Sequence, residues 1–401
     1  MFINVTEENV KNRSFAYLAI STLYFSGATA YAQSSVALYG IVDAGFNYFS
    51  NSHGAKAHFN FASGGDYANR WGVKGNEDLG GGLSAIFTLE NGFDIGTGNF
   101  SSAGTEFNRQ AFMGLSSDRY GTVTFGRQYS TTTDLLENYG PDLGSGGIAT
   151  YPGDMTDVDN SVRINNSVKY RTPTFNGLTG EVIYGFGNVA GSMSSGSTAT
   201  AGFSYATGPW YLAATYFRSV NATPNTTSWS GSANAIPNAS LVLGFNGAHS
   251  VQIANAVADY TFGRWTAGLN YGYTQYRPGG ASTVFTHPVA FNSVGAVVSV
   301  TPRPDLTLGL GYNFTFGQAV DAESKAATPR IHQIGGRAIY LVSKRTGFYM
   351  FAGYSHADGE TLNSTATGLV PVTANLGDTA NGAWSSSRNQ AIVKIGMYNR
   401  F

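Results

Sequence analysis

The sequence predicts an all-β chain, a 16-stranded antiparallel transmembrane β-barrel with short turns at one rim and long loops at the other. Three observations carry that expectation. Apolar and polar residues alternate with period two along most segments after Gln33, which puts successive side chains on opposite faces of a strand. The connections between these segments alternate short and long, and aromatic residues gather at segment ends.

The first element precedes the strands. "KNRS", with Lys11 and Arg13, is followed by the apolar "FAYLAISTLYFSGATAYA" and an A-x-A site at Ala30-Tyr31-Ala32. This order reads as an export signal over residues 1–32, cleaved to leave the barrel over 33–401. Glu7 and Glu8 dilute its positive charge, and Ser26, Gly27 and Thr29 make its apolar core short for a span of ~20 residues. Beyond Gln33 no apolar run approaches a spanning helix, so any membrane residence must be through strands.

The strands then follow in order. In "VALYGIVDAGFNYF" one parity holds Val36, Leu38, Gly40, Val42, Ala44, Phe46 and Tyr48, and the other holds Tyr39, Asp43 and Asn47. "LSAIFTLE" repeats the pattern, with Leu83, Ala85, Phe87 and Leu89 against Ser84, Thr88 and Glu90. Further strands are expected to start near residues 70, 109, 122, 163, 179, 200, 210, 251, 265, 291, 306, 331, 346 and 389. In the last, Ala391, Val393, Ile395, Met397 and Phe401 oppose Lys394 and Arg400. Short turns such as "DLGGG", "SDRYG", "TGP" and "GR" carry residues that fix φ or permit positive φ. The eight long connections, near 50–69, 94–108, 128–162, 187–199, 219–250, 277–290, 317–330 and 357–388, are rich in Gly, Ser, Asn and Thr.

Alternation alone also allows a β-sandwich or a solenoid, although no fixed repeat period is present. The aromatic residues favour the barrel. Trp210, Tyr211, Phe262 and Trp265 lie beside short turns, whereas Tyr48, Phe49, Phe93, Tyr273, Tyr276, Phe314, Phe316 and Tyr354 lie where strands enter long loops. Two such bands are expected of girdles at two lipid interfaces. Closure requires the last strand to pair with the first, because lipid cannot satisfy an open edge. The apolar parity should face lipid and the polar parity a wet lumen, with Phe401 a lipid-facing aromatic at the short-turn interface.

Composition narrows the function classes. Lys+Arg number 23 and Asp+Glu 24, for a formal net charge of -1, which argues against nucleic acid as a partner. The absence of cysteine excludes disulfides and thiolate metal sites. No G-x-S-x-G or H-E-x-x-H motif occurs, and His53, His58, His249, His287, His332 and His356 fall mostly in expected loops. "DMTDVDN" lacks the glycine and final glutamate of an EF-hand loop. No catalytic residue, metal site or cofactor is therefore expected. An outer-membrane enzyme, or a surface adhesin on a sandwich, is the alternative; fractionation separates the second from a barrel.

Six stretches carry a family resemblance: "VALYGIVDAG" at 36–45, "RWGVKGNEDLGGGLSAIFTLENGF" at 70–93, "RQAFMGL" at 109–115, "GTVTFGRQ" at 121–128, "NNSVKY" at 165–170 and the final "GMYNRF". By them the chain resembles Gram-negative general porins, and is most similar to the trimeric porins of β-proteobacteria. The resemblance implies a homotrimer in the cell outer membrane, amid its lipid and lipopolysaccharide, passing small hydrophilic solutes and ions. It implies that the third long loop, within 128–162, folds into the lumen as a constriction loop. It also implies that Phe401 is read by the outer-membrane assembly machinery.

By the family pattern Arg70, Arg127 and Arg163 match a basic cluster on the wall facing that loop. Arg70 shares a parity with Gly72 and Lys74. Arg127 aligns with Val123 and Phe125, so a lumen position needs a bulge near Gly126. The loop carries Asp134, Glu137, Asp142, Asp154, Asp157 and Asp159 and no Lys or Arg. "PDLGSGG" matches the family's acidic loop tip loosely, making Glu137 and Asp142 the acidic candidates. Each acid would serve equally as a solvated loop side chain, and each arginine as an ordinary rim charge. Weak anion preference is expected from the arginines with Lys74 and Lys169.

Overall fold

A computed structural model describes residues 34–52, 56–159, 162–220, 239–245, 248–279, 285–320, 325–377 and 382–401. The expected signal segment, 1–32, lies outside the described residues. Sixteen staves form. β1 (Ser35–Phe49) is followed by β2, which runs in two segments, His58–Ser63 and Arg70–Gly80. Then come β3 (Leu83–Gly92), β4 (Gln110–Ser117), β5 (Gly121–Tyr129), β6 (Arg163–Arg171), β7 (Leu178–Gly185) and β8 (Thr198–Thr207). β9 (Trp210–Val220), β10 (Ser250–Phe262), β11 (Trp265–Arg277) and β12 (Val289–Arg303) follow. β13 (Leu306–Val320), β14 (Arg330–Leu341), β15 (Thr346–Asp358) and β16 (Asn389–Arg400) complete the wall. Every expected strand start falls within two residues of the observed one, counting for β2 the second segment at Arg70. The upper segment of β2 lies where the sequence suggested only loop.

Each stave pairs antiparallel with the next, and β16 closes on β1 from Ile41↔Arg400 to Phe49↔Ile392. Closure leaves no unpaired edge, as a lipid environment demands. Phe401 completes the seam, exchanging both backbone hydrogen bonds with Gly40 at 3.1 Å. No helix among the described residues is long and apolar enough to cross a membrane.

The outer surface is greasy. Val36, Leu38, Met113 and Leu269 are each at least 65% exposed, which no water-facing wall of this length would favour. Trp210, Tyr260, Phe262 and Trp265 cluster outside at the short-turn rim, with Trp210 and Tyr260 ring centroids 4.7 Å apart. Tyr48, Tyr273, Phe314, Phe316 and Tyr354 share the outward parity near the long-loop rim. Four residues of the expected girdles do not belong to them. Phe49, Tyr211 and Tyr276 point inward, and Phe93 lines an internal cavity.

The inner face is also less uniform than alternation suggested. Asp43, Asn313, Gln390 and Lys394 are buried inside, as expected of a polar parity. On β9 to β12, however, Phe217, Val251, Ile253, Tyr276 and Phe291 face inward, and they pack with loop residues Leu241, Val242, Phe245 and Phe285 into a dry cluster. Half of the long-loop end of the barrel is therefore filled rather than wet.

Candidate functional site

The segment between β5 and β6 folds into the barrel as α1 (Thr131–Leu136), α2 (Pro141–Ser145) and irregular chain. Ser130 caps α1, its hydroxyl accepting from the Thr133 N–H at 3.2 Å, which satisfies one of the donors a helix start leaves open. The loop is fastened to one side of the wall by short-range polar bonds. Thr131 meets Thr200 at 2.6 Å, the Gly140 N–H donates to Asp259 Oδ2 at 3.0 Å, and the Tyr151 hydroxyl donates to Asn270 Oδ1 at 2.8 Å. Asn255, Thr274 and Asn313 each donate to a loop carbonyl. Tyr139 stacks on Tyr211, whose hydroxyl donates to the Leu135 carbonyl. The loop's own Leu135, Leu136, Ile148 and Met155 are buried.

Fastening the loop to β8 through β14 leaves a cavity of about 640 Å³ against the rest of the wall. Arg70, Arg109 and Arg163 line it from the wall, and Glu137, Asp142 and Asp159 line it from the loop. Arg337, Lys344 and Arg400 add further positive charge, and Asp66 and Asp94 further negative charge. The wall arginines are organised around Glu90, whose side chain is 5% exposed. Arg109 Nε is 2.9 Å from Glu90 Oε1 and Arg70 Nε is 3.7 Å from Oε2. The Tyr39 and Tyr129 hydroxyls donate to the same carboxylate at 2.9 and 3.1 Å. The Arg109 and Arg163 guanidinium groups lie 5.6 and 5.1 Å from the Tyr129 ring, close enough for cation–π attraction. Arginine suits such an array because it keeps its charge at any working pH.

Of the sequence-derived basic candidates, Arg70 and Arg163 reach the cavity; Arg127 and Lys74 do not line it. The bulge that Arg127 required is present: pairing shifts between Gly126↔Ser167 and Gln128↔Ile164, with Gly126 at φ 137. Arg127 then donates to the Asn108 carbonyl at 2.9 and 2.8 Å and to Asn165, just behind the lining. Lys74 stands over the Tyr39 ring at 5.3 Å. Glu137 and Asp142 both line the cavity.

The remaining loop acids divide by role. Asp134 pairs with Lys169, Asp157 accepts the Val162 N–H at 2.8 Å, and Asp154 accepts the Asp159 N–H at 2.9 Å. Burial pushes the Asp142 carboxyl up to about 6, outweighing Arg337 at 3.8 Å, while Glu137 raises it further.

Sequence reasoning missed Arg109 and Arg337. Arg109 shares a parity with outward Met113, but it sits one residue before β4, where strand alternation no longer applies. Arg337 shares the inward parity of Gln333, a signal that was legible but stands alone on its strand.

A family model described as Gram-negative porin matches residues 16–360. An outer membrane porin protein of Bordetella pertussis is 31% identical over 380 residues, covering 86% of this chain and 95% of that protein. Outer membrane porin protein 32 of Delftia acidovorans is 35% identical over 174 residues, covering 42% of this chain and 48% of that protein. Among solved structures, the anion-selective porin from Comamonas acidovorans superposes with TM-score 0.67 at 23% identity, covering 92% of this chain and all of that one. OmpT of Vibrio cholerae, folded in vitro, superposes with TM-score 0.59 at 15% identity, covering 92% and 98%.

Proposed function

The chain belongs to the Gram-negative porin family, an outer-membrane channel for passive diffusion of small hydrophilic solutes, and from that premise we propose how it selects among them. The constriction lies between Arg70, Arg109 and Arg163 on the wall and Glu137 and Asp142 on the inserted loop. Arg127 and Lys74 act from behind and beside it. Facing rows of opposite charge set up a transverse field, which favours polar solutes whose dipoles can align and disfavours apolar ones. A barrel of this strand number is too wide for side chains to fill, so selection rests on radius and field at the throat.

The observation that carries the ion preference is the lining itself: six basic side chains against five acidic ones. So small a surplus supports weak anion preference. The likeness to a porin described as anion-selective points the same way. We read the chain as a non-catalytic pore that works as a homotrimer within lipid and lipopolysaccharide. Residues 1–32 direct export and are then cleaved, and Phe401 presents the signal to the assembly machinery.

Planar-bilayer recording of the purified protein tests this reading. Conductance steps in threes and a reversal potential of anionic sign under a salt gradient are expected. A clear cation preference overturns the proposed field.

A further inference from the structure

Between its two segments β2 leaves the wall. Ala44 of β1 pairs with Ser63 and Ile41 pairs with Arg70, so Val42 and Asp43 face six residues, Gly64 through Asn69. The excess chain folds into the lumen, and all six residues line the same cavity as the inserted loop. We propose that this bulge is a second constriction element, with Asp66 and Tyr67 as specificity-determining residues; the inference rests on the channel reading above.

The bulge has a dedicated seat. The buried Asp43 carboxylate accepts the Gly65 N–H at 3.0 Å, the Asp66 N–H at 3.0 Å and the Tyr67 N–H at 2.8 Å. Successive backbone donors converging on one carboxylate form an anion nest, here holding the chain's own side chain. The fourth donor comes from two staves away: the Tyr349 hydroxyl, on β15, reaches Asp43 Oδ1 at 2.7 Å. Asn69 closes the far end, its Nδ2 donating to the Asp43 carbonyl at 2.9 Å and to Ser63 Oγ at 3.0 Å.

Absent side chains make the Tyr349 reach possible. A Cβ on Gly65 or Gly396 would stand 2.0 or 2.2 Å from its hydroxyl, and one on Gly45 would stand 2.9 Å away. Gly64 supplies the positive φ of 85° at which the chain turns inward.

The seated bulge presents chemistry to the throat. Tyr67 meets Tyr398 edge to face at 4.9 Å, and the Arg400 guanidinium lies 4.6 Å from the Tyr67 ring. Asp66 lies within electrostatic reach of Asp142 on the inserted loop and of Arg337 and Arg400 on the wall. A solute in the cavity thus passes between the loop on one side and the bulge on the other.

Asp66→Asn and Tyr67→Ala, each in the full-length channel in planar bilayers, test the inference. Burial pushes the Asp66 carboxyl up to about 7, so Asp66→Asn, which keeps the shape, removes a throat anion at pH 8, where the reversal potential is expected to move toward anions. Tyr67→Ala is expected to raise single-channel conductance. Parent-like reversal potential in the first, together with parent-like conductance in the second, overturns the bulge as a constriction while leaving the channel intact. A parent protein that opens no channel overturns the channel reading and this inference with it.

Discussion

The two halves of the lumen are built on opposite principles. On the side of β8 to β14 the wall is covered: the inserted loop and the outer loops bury Phe217, Phe245, Tyr276, Phe285 and Phe291 in a dry cluster, and polar groups there bond to one another. On the side of β2 to β6 the wall is bare and its charged groups line the cavity, joined at the margin of the covered side by Arg337 of β14. The covered half resembles a soluble protein's interior, where shape and satisfied hydrogen bonds matter. The bare half sets a field, which needs charge but little packing. Stability and selectivity are thus assigned to different walls, and substitutions should separate them.

The largest effect is expected in the covered half. Phe291→Ala removes a ring that is 1% exposed, and a loss of about 3–5 kcal/mol is expected for such a cavity. Urea unfolding in lipid vesicles measures it, with reversal potential unchanged. Equal selectivity loss in that variant would erase the distinction between the halves.

Next comes the tie between them, Tyr349. Tyr349→Phe deletes one donor to a buried carboxylate, worth roughly 1.5–3 kcal/mol for a bond to a charged group. The same unfolding assay reads it, and channel recordings should show a noisier open state as the bulge loosens.

In the bare half the balance reverses. Arg163→Gln should cost under about 1 kcal/mol, as partly exposed charges usually do, yet move the reversal potential toward cations. A large stability loss without that move would assign Arg163 to the scaffold.

The smallest effect is a titration. The Asp142 carboxyl, pushed up to about 6, is mostly ionised at neutral pH and gains its proton as pH falls through that value. The loop then loses negative charge, so the reversal potential should drift toward anions on acidification. The drift should shrink in Asp142→Asn and keep only the share of Asp66, which burial pushes up to about 7 in the same cavity.

The strands were the most legible part of the molecule, because alternation is written locally and lipid enforces it over the whole outer wall. Alternation names two faces without saying which is outside. In β10 the stronger hydrophobes, Val251, Ile253 and Val257, turn inward, while Gln252, Ala254 and Ala256 face outward. The inward set shares its cluster with residues distant in sequence, among them Met155 and Leu362, which nothing local could announce. The same limit applies to the site. The inward position of Arg70 was legible from its parity, and the bulge at Gly126 from the misfit of Arg127, although Arg127 stops short of the cavity; the sorting of six loop acids into three at the cavity and three in structural bonds depends on the loop's fold. The bulge of β2 was hidden for a related reason: "SGGDYAN" reads as ordinary loop, and its anchor, Tyr349, lies far along the chain.

The Asp43 nest draws donors from both sides of the line where the first and last staves meet. Tyr349 reaches it over β16, and the bulge reaches it from β2. A barrel whose ends have not yet zipped together therefore lacks its finished throat. Sealing the cylinder and calibrating the aperture become a single event, so a half-assembled molecule has no completed sieve.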